Sequence, residues 1–276
     1  MKISKITLVA RPIDLNYPTN RAIAALVIVV VVGATVLQLV TGKGWTQSGL
    51  WGIGAGMAVF FAWALCRELD PDHDLSAFVA AGLALVGLFF WDLPNLGALL
   101  WVLLVVRIVN RTAGLPATAL DSLAVLGLGG WLSVQGNWGY GVITATALFL
   151  DSQLVPRNRR QILFAGLGVA ITVVAAAMNG AIWGEGDVSP LAGLIGLGIS
   201  VVFVPVVVGA GRVESVGDET GEVLRPVRVQ MGQGLALLAG VEVAFWGGEL
   251  GLVSMLPLWA AALGGAIYWL FVAIRE

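Results

Sequence analysis

The chain is a succession of long apolar blocks joined by short polar connections, and this pattern restricts the folds open to it. A helix needs about 20 apolar residues to cross the hydrocarbon core of a bilayer. We therefore predict an all-α, polytopic integral membrane helix bundle with about ten transmembrane helices. The predicted spans are 21–40, 49–66, 75–91, 94–109, 117–135, 139–153, 161–183, 190–210, 231–248 and 254–273.

Composition supports the membrane assignment. The 276 residues are 58% hydrophobic and 12% charged, whereas soluble domains are about 45–50% apolar and about 25% charged. No polar stretch is long enough to form a separate soluble core, so one membrane domain is expected over 1–276, with polar segments at 1–20 and 211–230. Nothing indicates a nucleic-acid partner. Membrane lipids are the expected surroundings, and a prokaryotic plasma membrane is the expected location.

The distribution of basic residues predicts the orientation. If the N-terminus is cytoplasmic, only Lys43 of the 15 basic residues lies outside, as the positive-inside rule requires. A missed or extra span in the middle of the chain would place every later loop on the opposite side of the membrane, and this asymmetry of basic residues would be lost. Tryptophans near the outer boundary, such as Trp45 and Trp138, are typical of an interfacial aromatic belt. Both termini are therefore predicted to be cytoplasmic.

Polar residues at the predicted cytoplasmic helix ends form the candidate substrate site. Arg107 and Arg111 are four residues apart, so they share a face if the helix continues through both. Asp121 and Asp151 lie at equal sequence distances from the hairpin at Gly136, and a constant helical rise predicts similar depths for them. The full candidate set is Arg67, Glu68, Arg107, Asn110, Arg111, Asp121 and Asp151.

This candidate site has two interpretations. A carboxylate at a membrane helix end is costly unless water, a cation or a partner compensates it. In the first interpretation, Asp121 or Asp151 forms a structural ion pair with Arg107 or Arg111. In the second, the two arginines bind a phosphate-type head group. In the second case, magnesium is the expected cofactor, because it prefers oxygen ligands near phosphates. Its further candidate ligands are Asp70, Asp72 and Asp74.

The segment "CRELDPDHDLSAF" adds a loop to the same face. Pro71 disfavours a continuous helix across these acids, and His73 is either a proton carrier or a solvated loop residue. An acidic second loop and an acid at the end of the sixth span resemble the arrangement in the UbiA-type membrane prenyltransferases, which place aspartate motifs in corresponding cytoplasmic loops. The family's Asn-Asp-x-x-Asp pattern is absent from this chain, so membership is not inferred.

Glu242, in "GQGLALLAGVEVAFWGG", is a second candidate site because it falls inside the ninth predicted span. An isolated acid within a membrane helix is a functional hypothesis by default. It either exchanges protons during transport or is a protonated, hydrogen-bonded structural residue. Asn179, Thr144 and Thr146 are its candidate polar neighbours.

Three functions remain open from the sequence. The first is a membrane enzyme or binding protein for an anionic amphipathic substrate such as a lipid or isoprenoid phosphate. The second is a proton-linked small-solute transporter that uses Glu242. The third is a noncatalytic assembly subunit. No nucleophile with an activating base is visible, so whether the chain is an enzyme stays undecided.

Overall fold

The fold is a bundle of α-helices. The computed structural model describes residue 7, residues 14–178 and residues 188–275. Over these residues a single isolated β-bridge, Val216 to Val223, is the only strand-like pairing. The ten helices in the described ranges are α1 (Pro18–Val40), α2 (Trp45–Leu69), α3 (Ser76–Gly87), α4 (Leu96–Asn110), α5 (Ala119–Gln135), α6 (Gly139–Gln153), α7 (Gln161–Met178), α8 (Pro190–Gly209), α9 (Pro226–Ser254) and α10 (Leu256–Arg275).

This architecture confirms the predicted all-α class. Six helices in the described residues are long and apolar enough to cross a membrane, namely α1, α2, α7, α8 with the short 3-10 turn that follows it, α9 and α10. The other four, α3 to α6, have between 12 and 17 residues. At about 1.5 Å per residue they are some 18 to 26 Å long, against a hydrocarbon core of about 30 Å.

Several predicted boundaries differ from the structure, and those of α3 and α9 illustrate the cause. Helix α3 ends at Gly87, four residues before the predicted end, and the chain then turns toward Pro94, whose ring disfavours helical backbone in the preceding residue. Helix α9 begins at Pro226, inside the predicted loop 211–230, and runs to Ser254 across a kink at Gly248. Gly248 has φ 57°, a left-handed conformation that glycine adopts without steric cost.

Helices α2, α4 and α9 form the centre of the bundle. Most apolar side chains of α4, including Trp101 and Val105, are buried, and α4 packs against both α2 and α9. Small residues allow close helix approach in membranes. At Gly264 of α10, a Cβ atom would lie 2.6 Å from the backbone nitrogen of Ala80. By contrast α1, α7 and α8 expose most of their apolar surface, as expected for helices that face lipid.

Polar contacts concentrate at one end of the bundle. Here α2, α4 and α6 end, α9 begins, and Glu68, Arg111, Asp151 and Arg228 are buried. We call this the charged end. The turn between α5 and α6 lies at the opposite end. The predicted neighbour Asn179, and most of the N-terminal segment, lie outside the described residues.

Candidate functional site

The first polar contact of the charged end joins α2 to α4. Glu68, in the last turn of α2, is 3% exposed. Its Oε1 accepts a hydrogen bond from Arg107 Nε at 2.8 Å, and its Oε2 accepts one from Thr112 Oγ1 at 2.7 Å. Asn110 Nδ2 donates to the Glu68 carbonyl at 2.8 Å. Three residues near the end of α4 therefore hold one residue of α2.

The second contact joins α4, α6 and α9 through a fully buried carboxylate. Asp151 Oδ1 accepts from Arg111 Nε at 2.7 Å and from Arg228 NH1 at 2.9 Å. Arg228 also donates to the carbonyls of residues 109, 154, 155 and 156. Arg111 donates to the carbonyl of Pro156 at 2.8 Å. The predicted pairing of Asp151 with Arg111 is thus present, with Arg228 as a second partner.

Arg107 and Arg111 do not share a helical face, which corrects the prediction from their spacing. Helix α4 ends at Asn110, and Arg111 is the C-cap with φ 53° and ψ 46°. This left-handed conformation is uncommon outside glycine and turns the chain away from the helix axis. Arg107 therefore reaches Glu68 in α2, while Arg111 reaches Asp151 in α6.

The charges of these contacts suit a structural clamp, which consists of Glu68, Arg107, Arg111, Asp151 and Arg228. Three guanidinium groups face two carboxylates, and the donors of Arg228 are directed at carbonyl and carboxylate oxygens. Buried charges are tolerated when they are paired and hydrogen-bonded in this way. Among these five side chains, guanidinium groups outnumber carboxylates by one. The arginines of the clamp are engaged by the protein, so an anionic head group would have to compete with carboxylates for Arg107 or Arg111.

Asp121 belongs to a different network from Asp151. It forms a capping box at the start of α5: Thr118 N donates to Asp121 Oδ2 at 2.8 Å, and Asp121 N donates to Thr118 Oγ1 at 3.2 Å. Thr7 Oγ1 also donates to Asp121 Oδ1. A capping box satisfies amide groups that the first helical turn leaves unpaired. The contacts of Asp121 with Thr118 thus serve helix initiation, and its contact with Thr7 joins the start of α5 to the N-terminal segment.

The loop acids Asp70, Asp72 and Asp74 are directed at three different partners. Asp70 Oδ1 accepts from His73 Nδ1 at 2.8 Å. Asp72 accepts from backbone amides of residues 214 and 215, which fastens the turn between α2 and α3 to the loop before α9. Asp74 pairs with Arg67. The pKa of His73 is raised above its ordinary value of 6.5, chiefly by its hydrogen bond to Asp70.

Magnesium binding gains no support from this arrangement. No group of three or more acidic, histidine or cysteine side chains that could hold a metal ion occurs within the described ranges. Asp70, Asp72 and Asp74 serve separate partners, as described above. The predicted magnesium site therefore stays a prediction.

Glu242 lies near the end of the bundle opposite the clamp. It is about 21 Å along α9 from Arg228, at about 1.5 Å per residue, and its carboxyl group occupies the space that a side chain at Gly139, the first residue of α6, would fill. Neither carboxyl oxygen has a hydrogen-bond partner in the described structure, and both are buried. Two of its predicted neighbours are engaged elsewhere: Thr144 Oγ1 donates to the Tyr140 carbonyl, and Thr146 Oγ1 to the Val142 carbonyl.

The sequence reasoning missed Arg228 and Thr112. The predicted ninth span began at residue 231, so Arg228 was assigned to the loop. A signal was present, because proline is favoured at the first position of a helix, and Pro226 marks the start of α9. That start places Arg228 on the helix. Thr112 follows the left-handed residue Arg111, for which the sequence carries no comparable signal.

Comparison with protein-family models, with curated proteins and with solved structures gives no match.

Proposed function

We propose that the chain is a ten-span integral membrane protein of a prokaryotic plasma membrane, with both termini cytoplasmic, and that it is a proton-linked carrier of a small solute. Two features support a multi-pass membrane protein with this orientation. Six helices are long and apolar enough to span a membrane, and exposed arginines lie in the loops next to the clamp, including Arg157, Arg159 and Arg225. The positive-inside rule then makes the charged end cytoplasmic.

The buried carboxyl group of Glu242 is the observation that carries the transport proposal. Both of its oxygens are buried without a hydrogen-bond partner among the described residues. An ionised carboxylate in that position is very unfavourable, so the group is held as the neutral acid or binds a cation. A membrane carboxyl group that lacks a protein partner is free to exchange a proton with a bound solute or with water. This is the chemistry that proton coupling needs.

Transport in proteoliposomes tests this proposal. We would load vesicles with a pH-sensitive dye, screen radiolabelled amino acids, sugars and amines, and compare uptake with and without a pH gradient. The wild-type chain should show gradient-stimulated uptake, and Glu242→Gln should retain exchange without a gradient but lose the stimulation. Glu249→Gln is the matched control, because Glu249 is an exposed acid of the same helix. Equal stimulation in wild type and Glu242→Gln would remove Glu242 from the mechanism.

A second candidate function is binding of a lipid or isoprenoid phosphate-type amphiphile at the charged end. It is favoured by the excess positive charge of the clamp, where Arg111 and Arg228 share one carboxylate, and by the exposed arginines around it. Basic clusters at a cytoplasmic membrane surface attract anionic head groups. Mass spectrometry of copurified lipids tests it. A phosphate amphiphile should be enriched over the bulk membrane and lost on substitution of Arg157, Arg159 and Arg160 by glutamine; equal composition in both samples would oppose it.

A further inference from the structure

A small pocket lies at the charged end, apart from the clamp. Its volume is about 80 Å³. The lining extends from exposed Asp72 to fully buried Gln233, so the pocket reaches from the surface into the bundle. Apolar groups of α8 and the following turn, among them Val206 and Val213, form part of the wall, and so does the indole of Trp269 in α10.

Two buried acceptor oxygens in this lining have no partner. Asp70 is 5% exposed and Gln233 is 0% exposed. The Oδ1 atom of Asp70 binds His73, but its Oδ2 has no hydrogen-bond partner in the described residues. Gln233 donates through Nε2 to the Leu69 carbonyl at 2.6 Å, which fixes its amide group, while its Oε1 is left without a partner.

Unpaired buried acceptors are costly, because each has lost its water without gaining a donor. Native proteins satisfy nearly all such atoms. Both residues line one pocket, and they come from elements remote in sequence, the end of α2 and the first third of α9. A donor placed in the pocket would satisfy both at once.

We propose that this pocket binds a small organic ammonium cation. The ammonium group donates hydrogen bonds to Asp70 Oδ2 and Gln233 Oε1. His73 also lines the pocket and binds Asp70 Oδ1, so the Asp70 carboxylate balances the ammonium charge when His73 is neutral, and binding is measured at a pH above the raised pKa of His73. Its alkyl part contacts Val206 and Val213, and the indole of Trp269 adds an aromatic wall of the kind that favours cations. A volume of about 80 Å³ suits a cation of one or two carbon atoms.

Other ligand classes fit the lining less well. Hard metal cations need about six oxygen ligands, whereas a single carboxylate and a single amide oxygen are the unpaired oxygens identified in this pocket. An anion would meet Asp70 and Asp72 at close range. The apolar part of the wall has no hydrogen-bonding groups for a fully hydrated ion, whereas burial of an alkyl group against it is favourable. This inference is independent of proton-linked transport, because it concerns equilibrium binding at the other end of the bundle from Glu242.

Equilibrium binding of radiolabelled methylammonium to the purified, detergent-solubilised chain tests the proposal. We expect saturable binding of one cation per chain at constant ionic strength, displaced by unlabelled ethylammonium but not by equal concentrations of sodium chloride. Asp70→Asn should weaken binding at least about tenfold, since a charge-assisted hydrogen bond is lost. Asp74→Asn is the matched control, because it makes the same charge change in the same turn, at a side chain outside the pocket lining.

A steric variant keeps the test decisive if Asp70→Asn fails to fold. A Cβ atom at Gly209 would lie 3.6 Å from Trp269 Nε1, so Gly209→Leu directs bulk into the pocket without changing charge. Gly198→Leu is its control on the same helix, where a Cβ atom meets nothing within 4 Å. Binding should fall in Gly209→Leu and persist in Gly198→Leu. Absence of saturable binding to the wild type, displacement by sodium chloride, or equal binding by both members of either pair would overturn the proposal.

Discussion

Replacing Asp151 by asparagine gives the sharpest test of the clamp. The substitution keeps the size and one acceptor oxygen but leaves Arg111 and Arg228 buried without a counter-charge. Asp151 is 0% exposed and accepts two arginine hydrogen bonds, at 2.7 and 2.9 Å. Removing one partner of a buried ion pair costs about 3–5 kcal/mol. We expect the free energy of unfolding to fall by about 3 kcal/mol, since asparagine retains some hydrogen bonding.

The measurement is unfolding of the detergent-solubilised protein by sodium dodecyl sulfate, followed by far-ultraviolet circular dichroism. Asp74→Asn is the control, because Asp74 pairs with Arg67 at an exposed position, and such pairs contribute about 0–1 kcal/mol. The double variant Asp151→Asn/Arg228→Met removes one of the two guanidinium charges that the single variant leaves without a carboxylate, so it should recover part of the loss. A loss below about 1 kcal/mol for Asp151→Asn, equal to the control, would refute the idea that the clamp stabilises the bundle.

Two further predictions concern other parts of the bundle. Because His73 has a raised pKa in the folded protein through Asp70, its stabilising contribution should be complete below pH 6.5 and disappear as the pH rises through that raised pKa. Unfolding titrations at several pH values should show this decline in the wild type, and a His73→Asn variant with the same decline would contradict it. Separately, Gly139→Ala should lower the free energy of unfolding by about 1–3 kcal/mol, because its methyl group would displace the Glu242 carboxyl group. Adding Glu242→Ala should restore part of this loss, whereas Gly166→Ala, where a Cβ atom has open space, should be neutral or slightly stabilising.

The fold class was accessible from the sequence because it depends on local properties. A long apolar block becomes a helix in a bilayer whatever its neighbours are, since its backbone groups must be paired internally. Helix bounds were accurate where turn residues mark the ends, as at the start of α6. They failed at α3, because the apolar pattern continues past the helix end at Gly87 toward Pro94. They also failed at α9, because the apolar pattern begins after the helix start at Pro226.

The candidate site was only partly predictable. Its members could be selected, because charges at membrane helix ends are rare and stand out. Their partners could not be assigned with the same success: a single left-handed residue, Arg111, directs the two α4 arginines to different helices. The missed partner Arg228 lies 77 residues from Asp151. The periodicity of residues within one helix cannot indicate a contact between residues on two different helices.

The sequence by itself determined that this chain forms apolar helices suited to a membrane, because hydrophobic block length is a local quantity. The tertiary structure alone decided that Arg111 and Arg228 converge on Asp151, and that Asp70 and Gln233, each with one buried oxygen that lacks a partner in the described residues, line a shared pocket. Those features depend on the relative positions of helices, which packing of small and apolar side chains establishes. The same packing removes water from the polar groups, so their pairing, or its absence, appears only once the bundle is assembled.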